Sequence, residues 1–128
     1  MSDAELLALA RGAGAHAYAP YSGYRVGAAL LSEDGSVVTG ANVENASYGL
    51  TLCAERAAFA AAVSRGLGRF RVMAVAADGD TPPFPCGACL QVAQELAPEI
   101  RFVIAGGPDS ESFLLRELLP HPFGLRPA

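Results

Sequence analysis

The sequence predicts an α/β fold of three layers, α/β/α, around a mixed five-stranded sheet. Two observations lead there. Segments with helical spacing of apolar residues alternate with short apolar runs in the order α-β-β-α-β-α-β-β, and that alternation sets helices against a sheet with parallel central strands. The other is bulk: 128 residues, 52 % apolar and 17 % charged, can bury about two thirds of the unfolded surface. No repeat, linker or low-complexity stretch divides the chain, so residues 1–128 are expected to form a single domain.

Leu6, Leu7, Leu9, Ala10, Ala13 and Ala17 mark an amphipathic helix from Asp3 to Ala17, with Ser2 or Asp3 as N-cap. Gly12 and Gly14 weaken its second half. Tyr18 to Gly23 forms a loop. Strands follow over Tyr24–Leu31 and Ser36–Ala41, with Asp34-Gly35 as a hairpin turn. Asn42 to Gly49 is a polar loop. The Ala-rich stretch after Cys53 is a helix halted near Gly66 and Gly68. Phe70–Ala77 is a buried strand, Asp78–Pro85 a Pro-rich loop, and Cys86–Leu96 a helix stopped by Pro98. Ile100–Ala105 and a short stretch around Phe113–Leu115 complete the sheet. Crossovers through the second and third helices imply parallel central strands.

The charge balance excludes some functions. The formal net charge is −4 and no Lys/Arg cluster exists, so the basic stripe that neutralises nucleic-acid phosphates is missing. No apolar run approaches the roughly 20 residues of a membrane span. The acidic start Met1-Ser2-Asp3-Ala4-Glu5 lacks the basic region of a signal peptide. A cytoplasmic protein without nucleic-acid or membrane partners is expected. Three cysteines do not make a disulfide framework.

Those cysteines carry the chemistry. Cys53 opens Cys53-Ala54-Glu55-Arg56, and Cys86 and Cys89 form a CxxC; both stretches sit where a loop enters a helix. Three thiolates suit catalytic zinc, whose fourth position belongs to water, whereas structural sites take four protein ligands. Cys86 and Cys89 share a face of the first turn. Cys53 and Glu55 lie about 200° apart around a regular helix, so they converge only if Cys53 stands at the helix margin and the metal lies off its end. Two helix N-termini beside the metal would help keep thiols deprotonated. Arg56 is the candidate donor to the cysteine sulfurs, offsetting the surplus negative charge of three thiolates. Redox or structural roles for the CxxC stay open, as does a closed site completed by His121. Glu55 favours the catalytic choice, since hydrolysis needs a proton shuttle and a structural site does not.

These residues resemble the zinc deaminases, in which a metal ligand two residues before a Glu is followed by PCxxC. With cysteine as first ligand, the chain is most similar to the free-nucleoside cytidine deaminases of small homotetrameric type. The likeness extends through Tyr18-Ala19-Pro20-Tyr21-Ser22, Val26-Gly27-Ala28-Ala29-Leu30, the stretch from Gly40 to Thr51, and Glu117-Leu118-Leu119-Pro120. The resemblance implies zinc-dependent hydrolytic deamination of cytidine and 2′-deoxycytidine in pyrimidine salvage. It implies one Zn²⁺ per subunit on Cys53, Cys86 and Cys89, with Glu55 moving protons between water, N3 of the base and the departing amine. Asn42 and Glu44 match the family's N-x-E, which the resemblance implies binds the ribose 3′-hydroxyl and the base, although Asn is also commonplace in turns. Ala54 matches a backbone contact to the base. Tyr24 stands where the family generally has Phe against the base. Tyr48 and Phe123 match aromatics that reach a neighbouring subunit's pocket, or they are ordinary packing. CAE and PCGAC also occur in deaminases of modified cytosine nucleosides of the blasticidin type, but N-x-E and the full Asn45–Thr51 stretch favour ordinary nucleosides. Leu90 stands where an arginine often follows the CxxC, leaving Arg56 to compensate the sulfurs.

Overall fold

Ser2 starts the first helix as its side chain suggests: its hydroxyl accepts the Glu5 N–H at 3.1 Å, and the Glu5 carboxylate accepts the Ser2 N–H at 3.2 Å. This reciprocal cap satisfies two otherwise free donors. The computed structural model describes residues 1–125. Its elements are α1 (Asp3–Gly14), β1 (Val26–Ser32), β2 (Val37–Ala41), a 3₁₀ turn (Tyr48–Leu50), α2 (Ala54–Ser64), β3 (Phe70–Ala77), α3 (Gly87–Leu96), β4 (Arg101–Gly106), β5 (Ser110–Leu114) and α4 (Leu115–Leu118). Helix α1 ends at Gly14 rather than Ala17. Its second half lies in backbone contact with β1: a Cβ on Gly27 would stand 1.7 Å from the Ala10 carbonyl oxygen.

The strands are ordered β2-β1-β3-β4-β5. β3 and β4 pair in parallel through α3, as expected. The other crossover differs. α2 joins β2 to β3, which run the same way but are separated by β1, and β1 is antiparallel to both. The cause is the Asp34-Gly35 hairpin, which must fold β1 beside β2. Gly35 takes φ 91° there, and Asp34 Oδ1 accepts the Ser36 N–H at 2.8 Å. Apolar on both faces, β1 takes the interior, and β2, with Thr39 exposed, takes the edge. At the other edge β5 begins at Ser110, earlier than Phe113, and Leu115 leaves the strand to open α4.

Alternation along the strands splits the core in two. Leu6, Leu7 and Ala10 of α1 cover Ala29, Ala74, Ala76 and Val103 on one face. On the other, Ala58, Phe59 and Ala62 of α2 and Leu90 and Ala93 of α3 cover Leu30, Met73, Val75, Phe102 and Ile104. The second face brings two helix starts together. Gly40 sets the height of one of them, because a Cβ there would lie 2.5 Å from the Ala54 carbonyl oxygen and 2.6 Å from the Ala58 nitrogen.

Candidate active site

Cys53 and Cys86 are the N-cap residues of α2 and α3, with extended backbones at φ −73°, ψ 155° and φ −72°, ψ 167°. Cys53 therefore stands at the helix margin, the condition its spacing from Glu55 requires. Cys89 is the third residue of α3. The N-cap and third side chains of a helix are spatial neighbours, which is why a CxxC across a helix start can grip one ion.

The sulfurs of Cys53 and Cys86 lie 3.8 Å apart and those of Cys86 and Cys89 3.5 Å apart. All three fall within 4.8 Å of one another. A tetrahedral zinc with bonds of about 2.3 Å needs ligand sulfurs about 3.8 Å apart, so the three cysteines could hold one metal ion as they stand. Among the described residues the cluster includes no histidine. His121 thus supplies no fourth ligand, and the closed site loses its support.

The electrostatics favour thiolate at Cys53. Arg56 Nη2 donates to Cys53 Sγ at 3.3 Å and to the Thr51 carbonyl at 3.4 Å. Hydrogen bonding from the Cys89 thiol, then from Arg56, lowers the Cys53 thiol to about 5 against burial. The Cys89 thiol moves up, because it holds the proton it shares with Cys53 and is buried. Metal binding would displace that proton. The expected Arg56 contact is present, on one sulfur. Leu90, directly after the CxxC, is buried in the core against α2 and the sheet, so it adds no charge.

Glu55 is 5 % exposed. Burial, reinforced by negative charge at Cys53, pushes its carboxyl up to about 7. It lines a cavity of about 440 Å³ together with Cys53, Ala54, Cys86, Tyr24 and Asn42. Tyr24 forms a wall, its hydroxyl pushed up by burial and by Glu55. Asn42 is buried, and its amide bridges the strand entry: Oδ1 accepts the Val26 N–H at 2.9 Å and Nδ2 donates to the Tyr24 carbonyl at 2.8 Å.

Glu44 lies in an adjoining hollow of about 380 Å³ with Tyr21, Ser22, Asn45 and Tyr48, and Thr51 borders both spaces. Hydrogen bonding by Ser22 holds the Glu44 carboxyl below its ordinary range. Tyr48 is 81 % exposed and Phe123 70 %. Phe123 borders neither space; its carbonyl accepts Gln91 Nε2 at 2.7 Å. Pro82, Pro83 and Phe84, which the sequence reading left as loop, line the same cavity as Tyr24. The stiff Pro82-Pro83-Phe84-Pro85 run just before the CxxC was the available signal.

The family model for the cytidine and deoxycytidylate deaminase zinc-binding region matches residues 1–106. The chain belongs to this deaminase family. It is 52 % identical over 109 residues to a cytidine deaminase of Halalkalibacterium halodurans, covering 84 % of this chain and 83 % of that one. A cytidine deaminase of Sporosarcina psychrophila is 50 % identical over 95 residues, 74 % of this chain and 70 % of that protein. Among solved structures, the cytidine deaminase from Burkholderia pseudomallei superposes with a TM-score of 0.92 at 44 % identity, covering 96 % of this chain and all of the other. The Mycobacterium tuberculosis cytidine deaminase gives 0.84 at 43 % identity, with coverage of 98 % and 99 %. The three-layer arrangement and mixed five-stranded sheet of the deaminase family are thus those of this chain.

Proposed function

We propose that this protein catalyses zinc-dependent hydrolytic deamination of cytidine and 2′-deoxycytidine, giving uridine and 2′-deoxyuridine with release of ammonia. The observation that carries the reading is a cluster of three metal-competent sulfurs, two of which, on Cys53 and Cys86, line the same cavity as the buried Glu55 carboxyl. Cys53, Cys86 and Cys89 would hold the zinc. When bound, zinc supplies the Lewis acidity that makes water nucleophilic near neutral pH.

The protein's own groups do the rest. Glu55 takes the proton given up by the attacking water and places one on N3, so that C4 becomes electrophilic. Once the water oxygen has bonded to C4, Glu55 takes the second proton from that oxygen and delivers it to the amine; the C4–N bond breaks as the C4 carbonyl forms, and ammonia leaves. The Tyr24 ring and the Ala54 backbone hold the base, while Asn42 and Glu44 receive the sugar. Arg56 draws charge from Cys53 and so from the metal. The Tyr24 and Phe84 walls limit bulk water around the base.

The same reading assigns a homotetramer in which Tyr48 and Phe123 complete neighbouring pockets. Support comes from the high exposure of both rings. It also comes from an apolar groove of about 480 Å³ along α2 and α3, lined by Leu52, Phe59, Val63, Val92 and Leu96. Three free thiols suit a reducing cytoplasm, where the reaction serves pyrimidine salvage. No described helix is long and apolar enough to cross a membrane. The test pairs metal analysis with the loss of cytidine absorbance: one zinc per chain, with uridine and ammonia in equal amounts, is expected. A zinc-loaded protein that leaves cytidine unchanged would refute the proposal.

A further inference from the structure

Glu44 is held more firmly than a sugar contact alone requires. Its Oε1 accepts the consecutive N–H groups of Tyr21 and Ser22 at 3.0 and 3.1 Å, and its Oε2 accepts the Ser22 hydroxyl. The Ser22 oxygen in turn accepts the Tyr24 N–H at 2.9 Å. Consecutive N–H groups converge on an anion where the backbone turns tightly, and Gly23, at φ 69°, supplies that turn. The two N–H groups use both lone pairs of Oε1. Oε2, oriented by Ser22, keeps the remaining acceptor site, in the hollow that Tyr48 and Thr51 also line.

One hydroxyl therefore joins two parts of the pocket: it donates to the carboxylate of the outer hollow and accepts from the backbone of the inner wall. Asn42 pins the next link, gripping the Tyr24 carbonyl and the Val26 N–H. A turn-stabilising serine would need only its bond to the Tyr24 N–H. The bond to Glu44 Oε2 crosses 22 positions in sequence and acts on the atom left free for a ligand.

We infer that Ser22 is a positioning residue for nucleoside binding, aiming Glu44 Oε2 at the sugar 3′-hydroxyl and locking that aim to the Tyr24 wall. The inference rests on the deaminase reading above. Losing a hydrogen bond to a charged group costs roughly tenfold or more in binding. Ser22→Ala holoenzyme should therefore show a KM raised about tenfold on cytidine and on 2′-deoxycytidine, with kcat and zinc content near wild type.

On 2′,3′-dideoxycytidine, which has no 3′-hydroxyl, the penalty should vanish, and Ser22→Thr should restore the wild-type KM on all three nucleosides. Placed in a Glu44→Ala background, Ser22→Ala should add nothing further. Ser22→Gly carries the same comparison should Ser22→Ala not fold. An unchanged KM, or an equal loss on all three nucleosides, overturns the inference and leaves deamination standing. Wild-type holoenzyme without activity on cytidine overturns both.

Discussion

The inner and outer halves of the pocket are built on opposite terms. Inside, Cys89 is fully buried, Glu55 nearly so, and the three sulfurs are already close enough for one ion. Two helix starts fix these groups, and the Gly40 contact fixes one of the starts. Outside, Tyr48 beside Glu44 and Phe84 on the cavity wall stand more than half exposed. Exposed rings forgo about 25 cal/mol for each Å² of apolar surface left in water. The difference teaches that the three sulfurs and Glu55 are brought together within one chain, whereas the aromatic rings of the outer half are left facing water.

The sharpest break between the halves should come from Cys89→Ala. Removing a buried ligand should abolish both stoichiometric zinc and turnover, and added zinc should no longer raise the thermal midpoint as it does by mass action for a native site. Metal analysis and melting with and without a chelator check this. Arg56→Ala should act next most strongly: loss of a group that supports the metal's own ligands lowers zinc affinity or activity by about 10–100-fold, measured by competition with a chromophoric chelator. An unchanged affinity would remove Arg56 from the account.

In the outer half, Tyr48→Ala should leave zinc and kcat alone and raise the cytidine KM by about 2–10-fold, the value of one aromatic contact. An unaltered KM would place the ring outside any completed pocket. Arg101→Ala probes neither half and sets the baseline. Arg101 pairs with Asp3 at 2.9 Å through two parallel bonds on exposed side chains, so its loss should cost below about 1 kcal/mol. The Arg101 hydrogen bonds hold the Asp3 carboxyl below its ordinary range. A depressed carboxyl stabilises above its unfolded pKa and ceases to as the pH falls through its folded value. The difference between variant and wild type in denaturant melts should thus be present at neutral pH and close in acid.

The same contrast explains what could be read from the sequence. The inner half follows from local rules: a cysteine at a helix margin, a Glu two residues on and a CxxC across a helix start leave little freedom in where the metal must lie. The sheet's pairing did not follow as fully, because crossover rules describe β2-α2-β3 without showing that the hairpin inserts β1 between those strands. Asn42 and Glu44 were visible as a pair, but their bonds to Tyr24, Val26, Tyr21 and Ser22 cross roughly twenty positions and depend on tertiary contact. Phe84 reads locally as a loop residue, and only the folded chain brings it into the cavity that Tyr24 also lines.

Glu55→Ala provides the most direct test of the central claim, that Glu55 shuttles protons and does not hold the metal. The variant should retain one zinc per chain and melt near wild type, while kcat on cytidine falls by at least about 10³-fold. A zinc-loaded Glu55→Ala enzyme that still turns over cytidine, or a variant that cannot retain zinc, would contradict it.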